Sequence, residues 1–122
     1  MTGASMIAKV DTLKPNQYSE EDKMGWIADL EAAIYTEILA RHEDAPDSFD
    51  YSECTDSTRE LTVKPPYDDI YLYYLSAQID LYNRELTSYA QTATLYNTAW
   101  ENYAAWYTQN HMPKRTVTEF KL

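Results

Sequence analysis

The chain has 122 residues, a formal net charge of -10, a single cysteine and only two glycines, Gly3 and Gly25. That length fits one domain and leaves no room for a deep substrate cleft beside a core, while so little glycine argues against phosphate-cradling loops and a turn-rich all-β fold. The acidic surplus argues against general binding to a nucleic-acid backbone, and the lone Cys54 has neither a disulfide partner nor a zinc-like Cys/His spacing.

In chain order, residues 4–13 carry Met6, Ile7, Val10 and Leu13 at helical spacing, with Ser5 as a cap and Pro15-Asn16 as a stop. This short helix either closes the chain's own core or rests as an arm on a neighbour. The clearest start follows at Ser19. It is a cap three residues before Asp22, and Glu20, Glu21 and Asp22 place negative charge at the positive end of the helix dipole. The helix is expected to run to about Arg41. Its core stripe is Ile27, Leu30, Ile34 and Ile38, widened by Trp26 and Ala33, with Asp29, Glu31 and Glu37 off it. Gly25 would let another helix approach closely.

From His42 to Lys64 the periodicity disappears. Glu43, Asp44, Asp47, Asp50, Glu53 and Asp56 crowd an acidic loop. It lacks the glycine and the terminal bidentate glutamate of a calcium-binding loop, so a solvated surface is expected rather than a metal site. Residues 58–63 alternate, with Leu61 and Val63 opposite Thr62. They predict one short strand or extended edge, stopped by Pro65. Its partner is expected in the loop around Phe49 to Tyr51 or in a neighbouring subunit.

Tyr67 to His111 contains no Gly and no Pro. Leu72, Leu75, Ile79, Tyr82, Leu86, Tyr89, Ala93, Tyr96, Trp100, Tyr103 and Tyr107 recur in alternating steps of three and four, one helical stripe. Pro65-Pro66, Asp68 and Asp69 favour a helix start. Ile70 to Leu75 are apolar or aromatic on nearly every face. In a chain this short the other helices cover about two faces, so another subunit is expected to cover the rest. A turn or sharp kink is expected between Asn83 and Ser88, with the last helix ending near Asn110.

The seam is mostly Tyr and Trp, which suits an interface where rings are buried and their polar tips still find partners. Candidate contact residues are Tyr71, Tyr74, Tyr89, Tyr96, Trp100, Tyr103, Trp106 and Tyr107, with Val117 and Phe120 beyond the helix. The tail from Lys114 to Leu122 carries Lys114, Arg115 and Lys121 against Glu119. It either straps onto the acidic surface of the next copy or frays. The expected fold is therefore all-α, a bundle of about four helices with one extended piece near 58–63. One domain spans 1–113 and a basic tail spans 114–122.

No catalytic constellation emerges. His42 and His111 sit at predicted helix ends, nothing brackets a nucleophile, and an acidic loop should raise the Cys54 pKa. Neither enzymatic activity nor a cofactor is expected. With no basic-apolar leader and no apolar run long enough for a bilayer, neither secretion nor membrane insertion is expected.

The order of pieces carries a resemblance. "NQYSEEDKMGWIADLEAAIYTEI", the extended "RELTV", "PPYDDIYLYYLSAQIDLYN" and "ATLYNTAWENYAAWYTQNHMP" together resemble the head-tail connector (adaptor) proteins of tailed bacteriophages and prophages, over roughly residues 4–113. The resemblance implies a small helical subunit of an oligomeric ring under the portal, which continues the DNA channel and docks the tail or a stopper protein. It implies a place in the virion, and in the host cytoplasm during assembly. It brings no catalytic residues. Glu43, Asp44, Asp47, Asp50, Glu53 and Asp56 become candidates for a channel wall that repels DNA and lets it slide. The very aromatic last helix departs from the family's plan and leaves the subunit contacts open. Two other classes compete: a small binding or regulatory protein with a Tyr/Trp groove, and an acidic DNA-mimic inhibitor. The concentration of carboxylates in a loop and at helix starts ranks the mimic last.

Overall fold

A computed structural model describes residues 1–114. Among them the fold is all-α, as expected: α1 (Gly3–Leu13), α2 (Glu20–Glu37), α3 (Asp69–Tyr82) and α4 (Leu86–Asn110), with short 3-10 turns at Leu39–Arg41 and Tyr51–Thr55. The tail residues Val117 and Phe120 lie outside the described residues.

Local chemistry explains each boundary. Thr2, not Ser5, caps α1, its Oγ1 accepting from the Ser5 N–H at 3.2 Å. Met6, Ile7 and Val10 turn inward, so α1 closes its own chain's core. Ser19 caps α2 as its sequence signals, accepting from the Asp22 N–H at 3.0 Å. The α2 stripe of Ile27, Leu30 and Ile34 is buried, and Ile38 continues it into the following turn. Among the described residues no other helix approaches Gly25: a Cβ built there would meet nothing within 4 Å. Gly25→Ala therefore gains helix propensity without a clash. Thermal or urea unfolding should show stability raised by about 0.5–1 kcal/mol.

The extended piece corrects the strand expectation. Leu61 and Val63 are buried, as their alternation requires, but no ladder forms among the described residues. Its partner is the chain's own N-terminus. Thr2 and Glu60 form an isolated bridge, the Leu61 N–H donates to the Met1 carbonyl at 2.9 Å, and the Met1 ammonium pairs with Glu60. Neither the loop at Phe49 to Tyr51 nor a second subunit is needed. Pro65-Pro66 is a cis bond. Residues 65–68 form a turn and α3 begins at Asp69, which leaves Tyr67 before the helix rather than in it.

α3 is the central helix. α1, α2 and α4 of the same chain all pack on it, and Ile70, Tyr71, Leu75 and Ile79 are almost wholly hidden. The apolar run is thus covered more completely by its own fold than the sequence suggests. Asp80 is buried among these elements. Its carboxylate receives the Lys14 ammonium at 2.5 Å and the Thr92 hydroxyl at 3.0 Å, tying α1, α3 and α4 together. The break after α3 falls where Asn83-Arg84 places it. Arg84 adopts φ 60, the Arg84 N–H donates to Leu81 and the Glu85 N–H donates to Asp80. Those two bonds satisfy the last carbonyls of α3 and reverse the chain.

Candidate assembly surface

The break makes α3 and α4 an antiparallel hairpin. Tyr74 lies on Tyr96 with ring centroids 5.2 Å apart, and Tyr67 lies on Tyr103 at 6.3 Å. The two pairs are seven residues apart on each side, so α3 and the turn before it face successive stretches of α4. The aromatic seam is thus turned onto α3. This corrects several candidate contacts. Tyr71, Tyr103 and Tyr107 are buried in the chain's own core. Tyr74, Tyr89, Tyr96 and Trp100 are half-buried along the hairpin. Of the described rings expected at a subunit contact, Trp106 is the most open, 39% exposed.

The tyrosines on this seam have an alkaline signature. Burial, and then the charge of Glu31, hold the Tyr71 phenol well above its ordinary value of 10.0. Burial raises Tyr103 as well and pushes Tyr96 up to about 12. A folded-state pKa above the unfolded one gives stability that is intact below the unfolded value and is lost above it. Stability should therefore be flat up to about pH 10, then fall as the unfolded chain releases these protons. For Tyr71 alone the slope is about 1.4 kcal/mol per pH unit. Urea unfolding from pH 8 to 11.5, with phenolate absorbance followed in parallel, checks this. Some tyrosines should ionise only as the chain unfolds.

What is left uncovered is the other side of α4. The helix has 25 residues, about 37 Å of length, against about 21 Å for α3 with 14 residues. Only Ala99, Tyr103 and Tyr107 of α4 are buried, all in its distal half. Its composition gives little intrinsic helicity, since Thr87, Thr92, Thr94, Thr98 and Thr108 are poor helix formers. Such a helix depends on packing for its stability, and here one flank packs. Its outward face presents Ala90, Thr94, Leu95, Thr98 and Ala105. Glu101 is the only charged residue in the helix, in a chain of which 25% is charged. An exposed helical face normally carries charge, whereas the centre of a protein interface is depleted of it.

The distal end of α4 is fastened to the turn after α2. The Tyr107 ring stacks on His111 with centroids 3.7 Å apart, and His111 pairs with Asp44. His42 is buried and its Nδ1 lies 2.7 Å from the Ile38 carbonyl, the helix-end role expected of it. Backbone bonds from Glu43 to Met112 and from Lys114 to Arg41 hold residues 112–114 against that turn.

Glu43, Asp44, Asp47, Asp50, Glu53 and Asp56 are all exposed. Two of them organise the loop itself. Asp50 accepts from the Ser52 N–H at 3.0 Å and hydroxyl at 2.6 Å, and Asp56 accepts from the Thr58 N–H at 2.9 Å and hydroxyl at 2.7 Å. Those bonds hold both carboxyls below the usual range. Burial pushes the Cys54 thiol up, away from nucleophilic use. A groove of about 780 Å³ lies over Gly25, flanked by Trp26 and rimmed by carboxylates. Sequence reasoning did not find it. Its signal was a glycine inside a helix beside four nearby acids.

No family model, curated protein or solved structure matches this chain.

Proposed function

We propose that the protein is a structural subunit of a phage or prophage head-tail junction, assembling with copies of itself into a ring that continues a DNA channel and docks a tail or stopper protein. The observation that carries the assembly part is the long, exposed, nearly uncharged outer face of α4. The connector assignment itself rests on the resemblance in residue order. In this reading the exposed carboxylates from Glu43 to Asp56 line the passage and repel passing DNA, so the duplex slides without specific binding. The ring sits against a portal protein in the virion and is built in the bacterial cytoplasm.

Electron microscopy of the concentrated protein, alone and mixed with portal-bearing capsids, tests the proposal. Closed rings, or protein bound at the capsid vertex, are the expected result. A strict monomer that joins neither its own copies nor the capsids contradicts it. The groove over Gly25 favours a second reading, a small binding protein. Quenching of Trp26 fluorescence by a small ligand at stoichiometric concentration would support that one.

A further inference from the structure

The groove over Gly25 has an open floor, because no atom of the described residues occupies the space above that glycine. Its rim carries Glu20, Glu21, Asp22 and Asp29, and among the described residues no cation lines it. Glu20, Glu21 and Asp22 form no ion pair with any described residue. The same chain ends in a segment of opposite character. Lys114, Arg115 and Lys121 stand against one acid, Glu119, with Val117 and Phe120 between them.

We infer that this groove receives the basic C-terminal segment, Lys114 to Leu122, of a neighbouring copy. The inference rests on the assembly reading above and names a second contact between copies. Charge complementarity is the first support: four carboxylates face a segment with three cations, a pairing that steers and registers an encounter. The groove also offers apolar groups, with the Trp26 ring and the bare Gly25 backbone open to Val117 and Phe120.

Reach decides whose tail it is. The Lys114 N–H is fixed to the Arg41 carbonyl at 2.9 Å, beyond the C-terminal end of α2. Gly25 stands 12 residues before the end of that helix, about 18 Å at 1.5 Å per residue. Val117 is three residues past Lys114, at most about 11 Å of extended chain, and Phe120 six, at most about 22 Å. A chain's own Val117 falls short of Gly25 and its own Phe120 arrives only fully extended, so the two cannot seat there together. A neighbour's tail has no such limit.

The test is a titration of a labelled peptide spanning Pro113 to Leu122 into the full chain, followed by fluorescence anisotropy. Saturable binding is expected, weakened at least tenfold by Gly25→Leu, which fills the floor, and by Glu21→Lys with Asp29→Lys. A peptide carrying Arg115→Glu and Lys121→Glu should bind the charge-reversed groove better than the native one. Absence of saturable binding, or equal binding by native and groove-altered chains, overturns the inference. A full chain carrying Arg115→Glu and Lys121→Glu that binds the native peptide tenfold more tightly than the native chain also overturns it, because its own tail would then have been the occupant. The α4 variant Leu95→Lys/Ala105→Lys separates the two contacts. It should abolish self-assembly and leave peptide binding unchanged. If it does so while the peptide fails to bind the native chain, the groove inference falls and the assembly reading stands. If native chains bind the peptide and never self-associate, the assembly reading falls and takes the inter-copy strap with it.

Discussion

Glu31→Ala is expected to lower folding stability by about 3–5 kcal/mol, the largest single-residue effect in the protein. Glu31 is a buried carboxylate, 1% exposed, at the meeting of α2, α3 and the extended piece. It accepts from the Arg59 guanidinium at 2.9 Å, from the Thr62 N–H at 3.1 Å, from the Thr62 hydroxyl at 2.7 Å and from the Tyr71 hydroxyl. Tyr71 in turn accepts from the Val63 N–H at 2.9 Å. One carboxylate thus holds a segment that has no ladder of its own. Removing it strands the buried Tyr71 phenol, leaves the Thr62 backbone donor without its acceptor, unpairs the partly exposed Arg59 guanidinium and leaves a cavity. At this chain length the loss corresponds to roughly 10–20 °C in Tm. Tyr71→Phe should cost about 1.5–3 kcal/mol, because the Val63 donor is left without a partner. The two changes act on one network, so the double variant should lose less than the sum of the singles. A loss under about 1 kcal/mol for Glu31→Ala would mean that water replaces the carboxylate freely.

The second large effect falls on assembly and spares the fold. Leu95→Lys together with Ala105→Lys places two ammonium groups on the outward face of α4. Both positions are exposed, and lysine is a good helix former, so monomer stability should change by no more than about 0.5 kcal/mol. An unpaired charge forced into an interface costs about 2–5 kcal/mol, so association should weaken at least about a hundredfold. Sedimentation equilibrium beside a thermal melt checks both halves. A variant that associates like the native protein removes α4 from the contact surface.

Much of the fold was legible in the residues, for identifiable reasons. Ser19 and the acids after it marked the start of α2, and the interval from Asn83 to Ser88 was the expected place for a break, which falls at its Asn83 end. The periodicity told which residues share a face, but not what covers that face. Tyr71, Tyr103 and Tyr107 looked like partner contacts because a ring-rich seam suits an interface. The hairpin simply folds that seam onto α3. Glu31 was placed off the α2 stripe, yet it lies four residues after Ile27 and three before Ile34, within the stripe. An acid at such a position signals a buried partner set, here Arg59, Thr62 and Tyr71. The alternation of residues 58–63 correctly separated buried from polar positions. It could not reveal that the pairing partner was the N-terminus, because strand pairing is non-local. The low charge of α4, with Glu101 alone across 25 residues, is visible in the sequence as a gap in charge.

A second subunit is proposed to cover the outer face of α4. Hydrogen–deuterium exchange of α4, followed from dilute to concentrated protein, tests it most directly. The proximal half, Leu86 to Thr98, contains no buried residue, so its amides should exchange readily in the dilute monomer. On assembly they should slow at least tenfold, while amides around Ile70 to Ile79 in α3 stay as protected as before. Exchange along α4 that is the same at every concentration, or already as slow in the monomer as in α3, would contradict the account.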